Sequence, residues 1–475
     1  MSKLSEYLNS CTIHSVLSKK KLAEITGIER TRLIKILNGT RKPDKNDLMK
    51  IIQALSLTWE EEQEAYRLAK IEWLGSDAYE SMIAITSFLK GFHMINNHTS
   101  LIKENLSTIS DSKNTFCLTN KTEILHQLQC FLSQIGISQN QHLKMIVQED
   151  DPGIYNLIAS SIYGKDNLII DHILYYQALS KKDIGSIKQN IQQNSFILPF
   201  ILMNNTYHPL AIYQDNTNTQ LQNALLPYLF LHDHTVINCS CDFHSAIISY
   251  DPHIIHMYNN LFKEERKKAK EIVNILEPQN FIQPYINAIM NHQNRHFYFL
   301  LHEPCFASNL PYSIIMSKIH PKLKQNNDFI SMISQYLKLI QSLKTYTNYF
   351  TIQGVHQFMT SGCSSQIPKS IHIPLTIEER LLNLKNIIIK IEGDESTEYL
   401  LNDKIIFDAG LSISCYDDTS TVFYYNNANI NFYFQENTIN MSMHQFLQSL
   451  PKSDFVYSKE ESLKILSEIY DKYSK

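Results

Sequence analysis

The spacing of apolar residues changes along this 475-residue chain. Over the first 75 residues it is helical and comes in short segments. Lys19–Thr26 predicts a short helix with Leu22, Ala23 and Ile25 inward, opened by Ser18, whose hydroxyl can accept from the first turn. Gly27 then supplies a tight turn needing φ > 0, and Ile28 plugs it. Glu29–Leu37 predicts a second helix with Leu33 and Ile36 inward, ended by Asn38-Gly39. Asp44 caps a third, in which Leu48, Ile51, Ile52 and Leu55 recur at i, i+3, i+4 and i+7. Thr58-Trp59-Glu60-Glu61 has the capping-box pattern and opens a helix to about Leu74. Asp77–Phe92 is a further apolar helix, suited to joining the head to the body of the chain or to pairing two heads.

Residues 96–120 are polar and read as a linker. Beyond them, short runs rich in Ile, Val, Phe and Tyr predict strands at Leu143–Val147, Leu168–Tyr176, Phe196–Met203, Thr235–Cys239, Ala246–Tyr250 and His296–Leu301. Between them Lys121–Ile135, Ile254–Leu276, Ile282–His292 and Phe329–Leu343 read as helices. The alternation predicts an α/β or α+β regulatory body over 121–345. From Tyr346 strands dominate: Ile387–Ile391, Lys404–Phe407, Ser412–Tyr416, Val422–Tyr425 and Ile430–Phe434. Met441–Leu450 and Lys459–Tyr473 close the chain as helices. The division between the two parts is expected near 345–375, making 346–475 a separate strand-rich part.

Composition narrows the class. Hydrophobic residues make up 43% and charged residues 19%, enough apolar material for real cores. No stretch approaches the 20 or so apolar residues of a membrane span, and the N-terminus has no secretory signal. The eight cysteines are scattered with no CxxC pair, as expected of a reducing cytoplasm. Charge is unevenly placed. Residues 1–50 carry 11 Lys and Arg against 5 Asp and Glu, a net of +6, whereas the whole chain is at −4. A basic head on an acidic body fits a head that meets a polyanion.

The order of residues in that head is specific. It reads Ser18, Leu22-Ala23-Glu24, Gly27-Ile28, Arg30, Leu33, Ile36-Leu37-Asn38-Gly39, Arg41 and Pro43. In this order the segment resembles the phage-repressor-like (Xre/Cro/CI) helix-turn-helix family, over about 75 of the 475 residues. It departs from the family at Leu37, where many members carry Glu, and at Lys19, where Gln is frequent. The resemblance implies an all-α, five-helix, lambda-repressor-like head binding double-stranded DNA as a homodimer. The residues agree on physical grounds. A helix in the major groove presents polar side chains outward, here Glu29, Arg30, Thr31, Arg32 and Lys35. Lys19, Lys20, Lys35, Asn38, Thr40 and Arg41 fall where phosphate contacts are expected. Glu29 is placed to accept from a cytosine amine or to restrain an arginine.

Other chemistry is sparse. There is no GxGxxG, P-loop, GxSxG or HExxH, and no cofactor is expected. His232, His234, Cys239, Cys241 and His244 have zinc-binding types at no common finger spacing. His292, His296 and His302 are a second chance grouping. Glu149-Asp150-Asp151 and Asp417-Asp418 read as turn and cap residues, and Lys263–Lys270 as a solvated helix face. The expectation is a cytoplasmic, sequence-specific transcriptional regulator, not an enzyme, binding no metal, whose body dimerises or senses an effector of unspecified chemistry. Two alternatives stand beside it: an enzyme carrying a DNA-targeting or autoregulatory head, and an interaction protein that does not bind DNA.

Overall fold

The computed structural model describes residues 2–15, 17–95, 114–135, 141–148, 151–165, 167–178, 184–203, 206–214, 225–276, 282–291, 295–368, 370–393 and 397–475. The chain forms two compact units, Met1–Ile83 with Ser449–Ser453, and Ala84–Gln448 with Asp454–Lys475.

The first unit is built on five helices: α1 (Lys3–His14), α2 (Lys19–Thr26), α3 (Arg30–Leu37), α4 (Lys45–Leu55) and α5 (Trp59–Leu74). Leu8, Leu22, Leu33, Leu37, Leu48, Ile51 and Ala65 are fully buried at its centre, so every helix contributes to one core. Ser18, Asp44 and Thr58 cap α2, α4 and α5, the last through a complete capping box with Glu61. Ile25 departs from expectation: it is 51% exposed. Its place is taken by Thr26, whose hydroxyl donates to the Leu22 carbonyl at 2.8 Å and accepts from the Ile28 amide at 3.3 Å. A threonine one turn from Leu22 thus both packs and ties off the turn.

α6 (Ser76–Ile95) carries Phe88 and Phe92, which are fully buried against Phe423, Phe432, Phe434 and Tyr425. These aromatic residues belong to the second unit, so this part of the helix is consumed within the chain.

The second unit holds two mixed sheets. The first runs β1 (Thr115–Leu118), β7 (Ala246–Ser249), β6 (Thr235–Cys239), β5 (Tyr228–His232), β2 (Gln141–Ile146), β3 (Leu168–Gln177), β4 (Tyr207–Gln214) and β8 (Lys270–Glu271). β2, β3 and β4 are parallel; all other neighbours pair antiparallel. The second runs β9 (Val273–Leu276), β15 (Ile430–Phe434), β14 (Thr421–Tyr425), β13 (Leu411–Cys415), β10 (Phe297–Leu300), β11 (Tyr346–Thr351) and β12 (Glu398–Leu401). Again the three strands β10, β11 and β12 are parallel and the rest antiparallel. Strand for strand this is one topology used twice, with only the two-residue β8 lacking a counterpart. Helices fall in matching places. α7 (Lys121–Gln134) and α11 (Gln283–Asn291) follow the edge strands β1 and β9. α8 (Pro152–Ile162) corresponds to α12 (Tyr312–Ser317) with α13 (Asn327–Ser342), and α9 (Ile184–Met203) to α14 (Ile352–Ser361) with α15 (Ile377–Glu392). α10 (Pro252–Lys268) and α16 (Asn437–Ser449) follow the two meanders, and α17 (Lys459–Ser474) closes the chain.

Within this one compact unit the chain passes from the first sheet to the second at Ile272, between β8 and β9. The break expected at 345–375 falls inside the second sheet, where Phe297–Leu300 pairs in parallel with Tyr346–Tyr349. Four assignments need correction. Phe196–Met203 is the end of α9, not a strand; a fully buried apolar run has no period to tell the two apart. Ile387–Ile391 lies in α15, whose start is fixed by a Thr376–Glu379 capping box. Lys404–Phe407 is irregular, and the helix expected to reach Leu276 stops at Lys268, giving way to the edge strands β8 and β9. Within the expected linker, Thr115–Leu118 is a strand; residues 96–113 lie outside the described residues.

A buried polar seam joins the two sheet systems. The Asn194 side chain on α9 donates to Glu436 at 3.3 Å and accepts from Tyr176 at 2.8 Å. Glu436 also accepts from the amides of Thr438 and Ile439 at the start of α16. Burial pushes this carboxyl up from its ordinary range, and these donors oppose the shift.

His172 on β3 is a second buried polar group. Its Nε2–H donates to the Val147 carbonyl at 2.9 Å, and Nδ1 accepts from Tyr207 at 2.8 Å. Desolvation lowers its pKa to about 4. The unfolded histidine takes up a proton as pH falls through about 6.5, whereas the folded one resists until about 4. The stability held above pH 6.5 is therefore lost on acidification. His172→Gln should reduce the drop in unfolding free energy between about pH 7 and pH 5 by about 2 kcal/mol, measured by urea unfolding at both pH values.

Candidate nucleic-acid interface

The Ser18–Pro43 segment folds as helix, turn, helix and tied loop. The Ser18 hydroxyl accepts from the Lys21 amide at 3.2 Å. Gly27 takes φ +65°, a left-handed conformation that costs a residue with a Cβ roughly 1 kcal/mol. α3 is then held from behind by Leu33, Ile36 and Leu37, each at most 1% exposed. Leu37, the departure from the family pattern, is a core residue. At the far end Gly39 takes φ +72°. The amides of Thr40 and Arg41 bond the Lys35 carbonyl at 2.9 and 3.1 Å, and so does the Thr40 hydroxyl at 3.1 Å. The loop carrying Arg41 is thus fixed to the end of α3.

The outward residues separate into two groups. Glu29, Arg30, Thr31 and Lys35 are exposed, and none pairs its side chain with another of the described residues. Glu29 stands at the N-cap of α3 but makes no side-chain cap bond, which leaves the first-turn amides open. Lys19, Lys20, Asn38, Thr40 and Arg41 are also exposed and surround this face.

Arg32 is different. Its guanidinium forks onto α4, with Nε 2.7 Å from Asp47 Oδ2 and Nη2 2.6 Å from Asp44 Oδ2. Asp47 is buried and Asp44 caps α4. Arg32 therefore clamps α3 to α4, and its guanidinium is not free to point outward. The sequence held only a faint signal for this: Asp44 and Asp47 stand three apart at a helix start, where acids are common as caps whatever their partner. On α2, Lys21 is a further exposed cation, paired with Glu24 at 3.4 Å.

A helix-turn-helix family model matches residues 17–61. The head contains a helix-turn-helix domain. No curated protein sequence matches the chain at a significant level. Among solved structures, an archaeal chromatin protein, TrmBL2, whose structure shows a novel mode of DNA binding, is 13% identical. It aligns over 57% of this chain and 94% of its own, at a TM-score of 0.21. A phosphatidylserine synthase from Haemophilus influenzae is 10% identical over 82% of this chain and 98% of its own, at 0.22. A polyphosphate kinase from Porphyromonas gingivalis is 9% identical over 80% and 58%, also at 0.22. Scores of this size establish no shared fold, and the helix-turn-helix match rests on the head alone.

The other candidate groupings are not assembled. His232 faces Thr235 at the turn of the β5–β6 hairpin, while Cys239 pairs with Tyr228 at its far end. At about 3.3 Å per residue they are about 13 Å apart. His244 bonds back to Asp242. His296 contacts the Thr347 hydroxyl at 2.8 Å and His302 that of Thr351 at 3.1 Å; His292 lies outside the described residues. Among the described residues no group of three or more His, Cys, Asp and Glu is placed to hold a metal ion. Asp151 and Asp417 accept from nearby amides as cap and turn residues, and Glu149 and Asp150 lie outside the described residues. On α10, Glu264–Lys267 and Glu265–Lys268 pair on an exposed face. No described helix is long and apolar enough to cross a membrane.

The two arginines should separate cleanly in experiment. Arg30→Ala should weaken specific duplex binding by about tenfold or more and leave the melting temperature unchanged. Arg32→Ala strands the buried Asp47 carboxylate, so it should lower the melting temperature first. Calorimetric melting and fluorescence-anisotropy titration on both variants check the pair.

Proposed function

We propose that this protein is a sequence-specific, DNA-binding regulator of transcription that works as a cytoplasmic homodimer. The observation that carries the reading is the helix-turn-helix match at residues 17–61, together with an outer α3 face whose polar groups have no partner among the described residues. In this reading Arg30, Thr31 and Lys35 contact base edges, with Glu29 accepting from a cytosine amine or steering Arg30. Lys19, Lys20, Asn38, Thr40 and Arg41 grip phosphates, and Lys35 reaches the backbone as well as the groove. Arg32 acts by positioning. One head reaches only a few base pairs, so two heads on a two-fold site supply the specificity of a regulator. The body, with its two repeated sheets, carries dimerisation and sensing, and binding of a signal there shifts the affinity for the operator.

The test is binding to duplex DNA from the upstream region of the protein's own gene, across a salt series. Four of the phosphate-facing residues are cations, Lys19, Lys20, Lys35 and Arg41. A dimer brings about eight such charges, so affinity should fall about 10³- to 10⁵-fold between about 50 and 200 mM salt. Binding that ignores salt, or that is equal on unrelated duplex at every salt, contradicts the reading.

A further inference from the structure

The second sheet of the body has a polar floor where a core would be apolar. Directly opposed residues on paired strands share a face, so Asn348, Phe299 and Ser414 lie in one row across β11, β10 and β13. Ser412, Tyr424 and Asn431 form the next row across β13, β14 and β15. These residues floor a cavity of about 120 Å³, roofed by α11 and α13 through Tyr285, Ile333, Tyr336 and Leu337.

Two groups on this floor have no hydrogen-bond partner among the described residues. Asn348 is fully buried; its amide nitrogen donates to Ser308 at 3.2 Å and to Glu398 at 3.0 Å. Its Oδ1 accepts from none of the described residues. Ser412 is 6% exposed, and its hydroxyl also makes no hydrogen bond. An unmet buried polar group is destabilising, and two beside one cavity are better explained by a molecule that satisfies them than by packing. The nearby charges are matched: Lys390 lies 3.8 Å from Glu398, and Lys318 on the cavity wall pairs with Glu379 at 2.7 Å. The site therefore calls for a neutral guest. Its remaining walls are mainly aromatic and aliphatic, with the Tyr285 and Tyr336 rings edge to face, and are interrupted by Ser308, Lys318, Gln366 and His372, whose Nε2 also has no partner among the described residues. A dry cavity of about 150 Å³ accepts a benzene ring, so this one is of single-ring size.

We infer that this cavity is a binding site for a small neutral aromatic molecule bearing an O–H or N–H donor. The ring lies between the tyrosines and the sheet, and its donor bonds Asn348 Oδ1 or Ser412. That such a ligand is the effector rests on the regulatory reading above; that the cavity binds it does not.

Phenol and indole, with benzene as the donor-less control, test the site in calorimetric titrations of the full chain without DNA. Phenol or indole should bind at least about tenfold more tightly than benzene, the worth of one buried hydrogen bond. Ser412→Leu fills the floor and Ile333→Trp fills the roof; either variant that melts like the wild type should lose this binding. Benzene binding as well as phenol and indole, no binding of any probe, or phenol binding unchanged in both filled variants overturns the proposal. The same samples titrated with duplex separate the two claims. Phenol bound with no change in operator affinity keeps the site and sinks the effector role. Operator binding with no ligand bound sinks the site and leaves the DNA reader standing.

Discussion

The outer face of α3 is available only because its inner face is held. A helix of eight residues has no stability of its own in water. Three buried side chains, Leu33, Ile36 and Leu37, and the Arg32 fork onto Asp44 and Asp47 fix it against the rest of the head. The fork also settles a division of labour. Of the two arginines in α3, one is committed to holding the helix and the other is left to meet a partner. The Lys35 carbonyl extends the same fixing to the loop of Arg41. A helix backbone held this rigidly loses little of its own conformational entropy on binding.

The body is built on a different principle. One arrangement of three parallel strands and an antiparallel meander is built twice, and the two copies meet through the buried Asn194–Glu436 contact. The copies are not chemically alike. The second floors a cavity with Asn348, Ser412 and Asn431, where the first sheet places its own buried polar groups, such as His232 and Asn238, on β5 and β6.

Much of the head was legible in the sequence, because short helices announce themselves through caps and turns. Ser18, Gly27, Asp44 and the Thr58–Glu61 box all sit where their chemistry demands. Ile25 misled because hydrophobicity alone does not reveal that Thr26 can bury itself by bonding its own helix. Arg32 misled because its partners lie on another helix. In the body, strands with clear β-branched or aromatic runs were legible, as at Thr235–Cys239 and Ile430–Phe434. The α9 and α15 segments were not, since both bury apolar runs that serve either a helix or a strand. The repeat was invisible too. Its copies share strand order and almost nothing else, as QHLKMI in β2 against FYFL in β10 shows. The cavity floor left no local signal, because Asn348, Ser412 and Asn431 become neighbours only when the sheet forms.

Selection of bound duplexes from a random pool tests the proposal that α3 reads base sequence. The account predicts that wild-type protein enriches a defined motif, and that Arg30→Ala enriches the same motif with one guanine position turned degenerate. A pool that stays random with the wild-type protein, or a motif unchanged by Arg30→Ala, would contradict it.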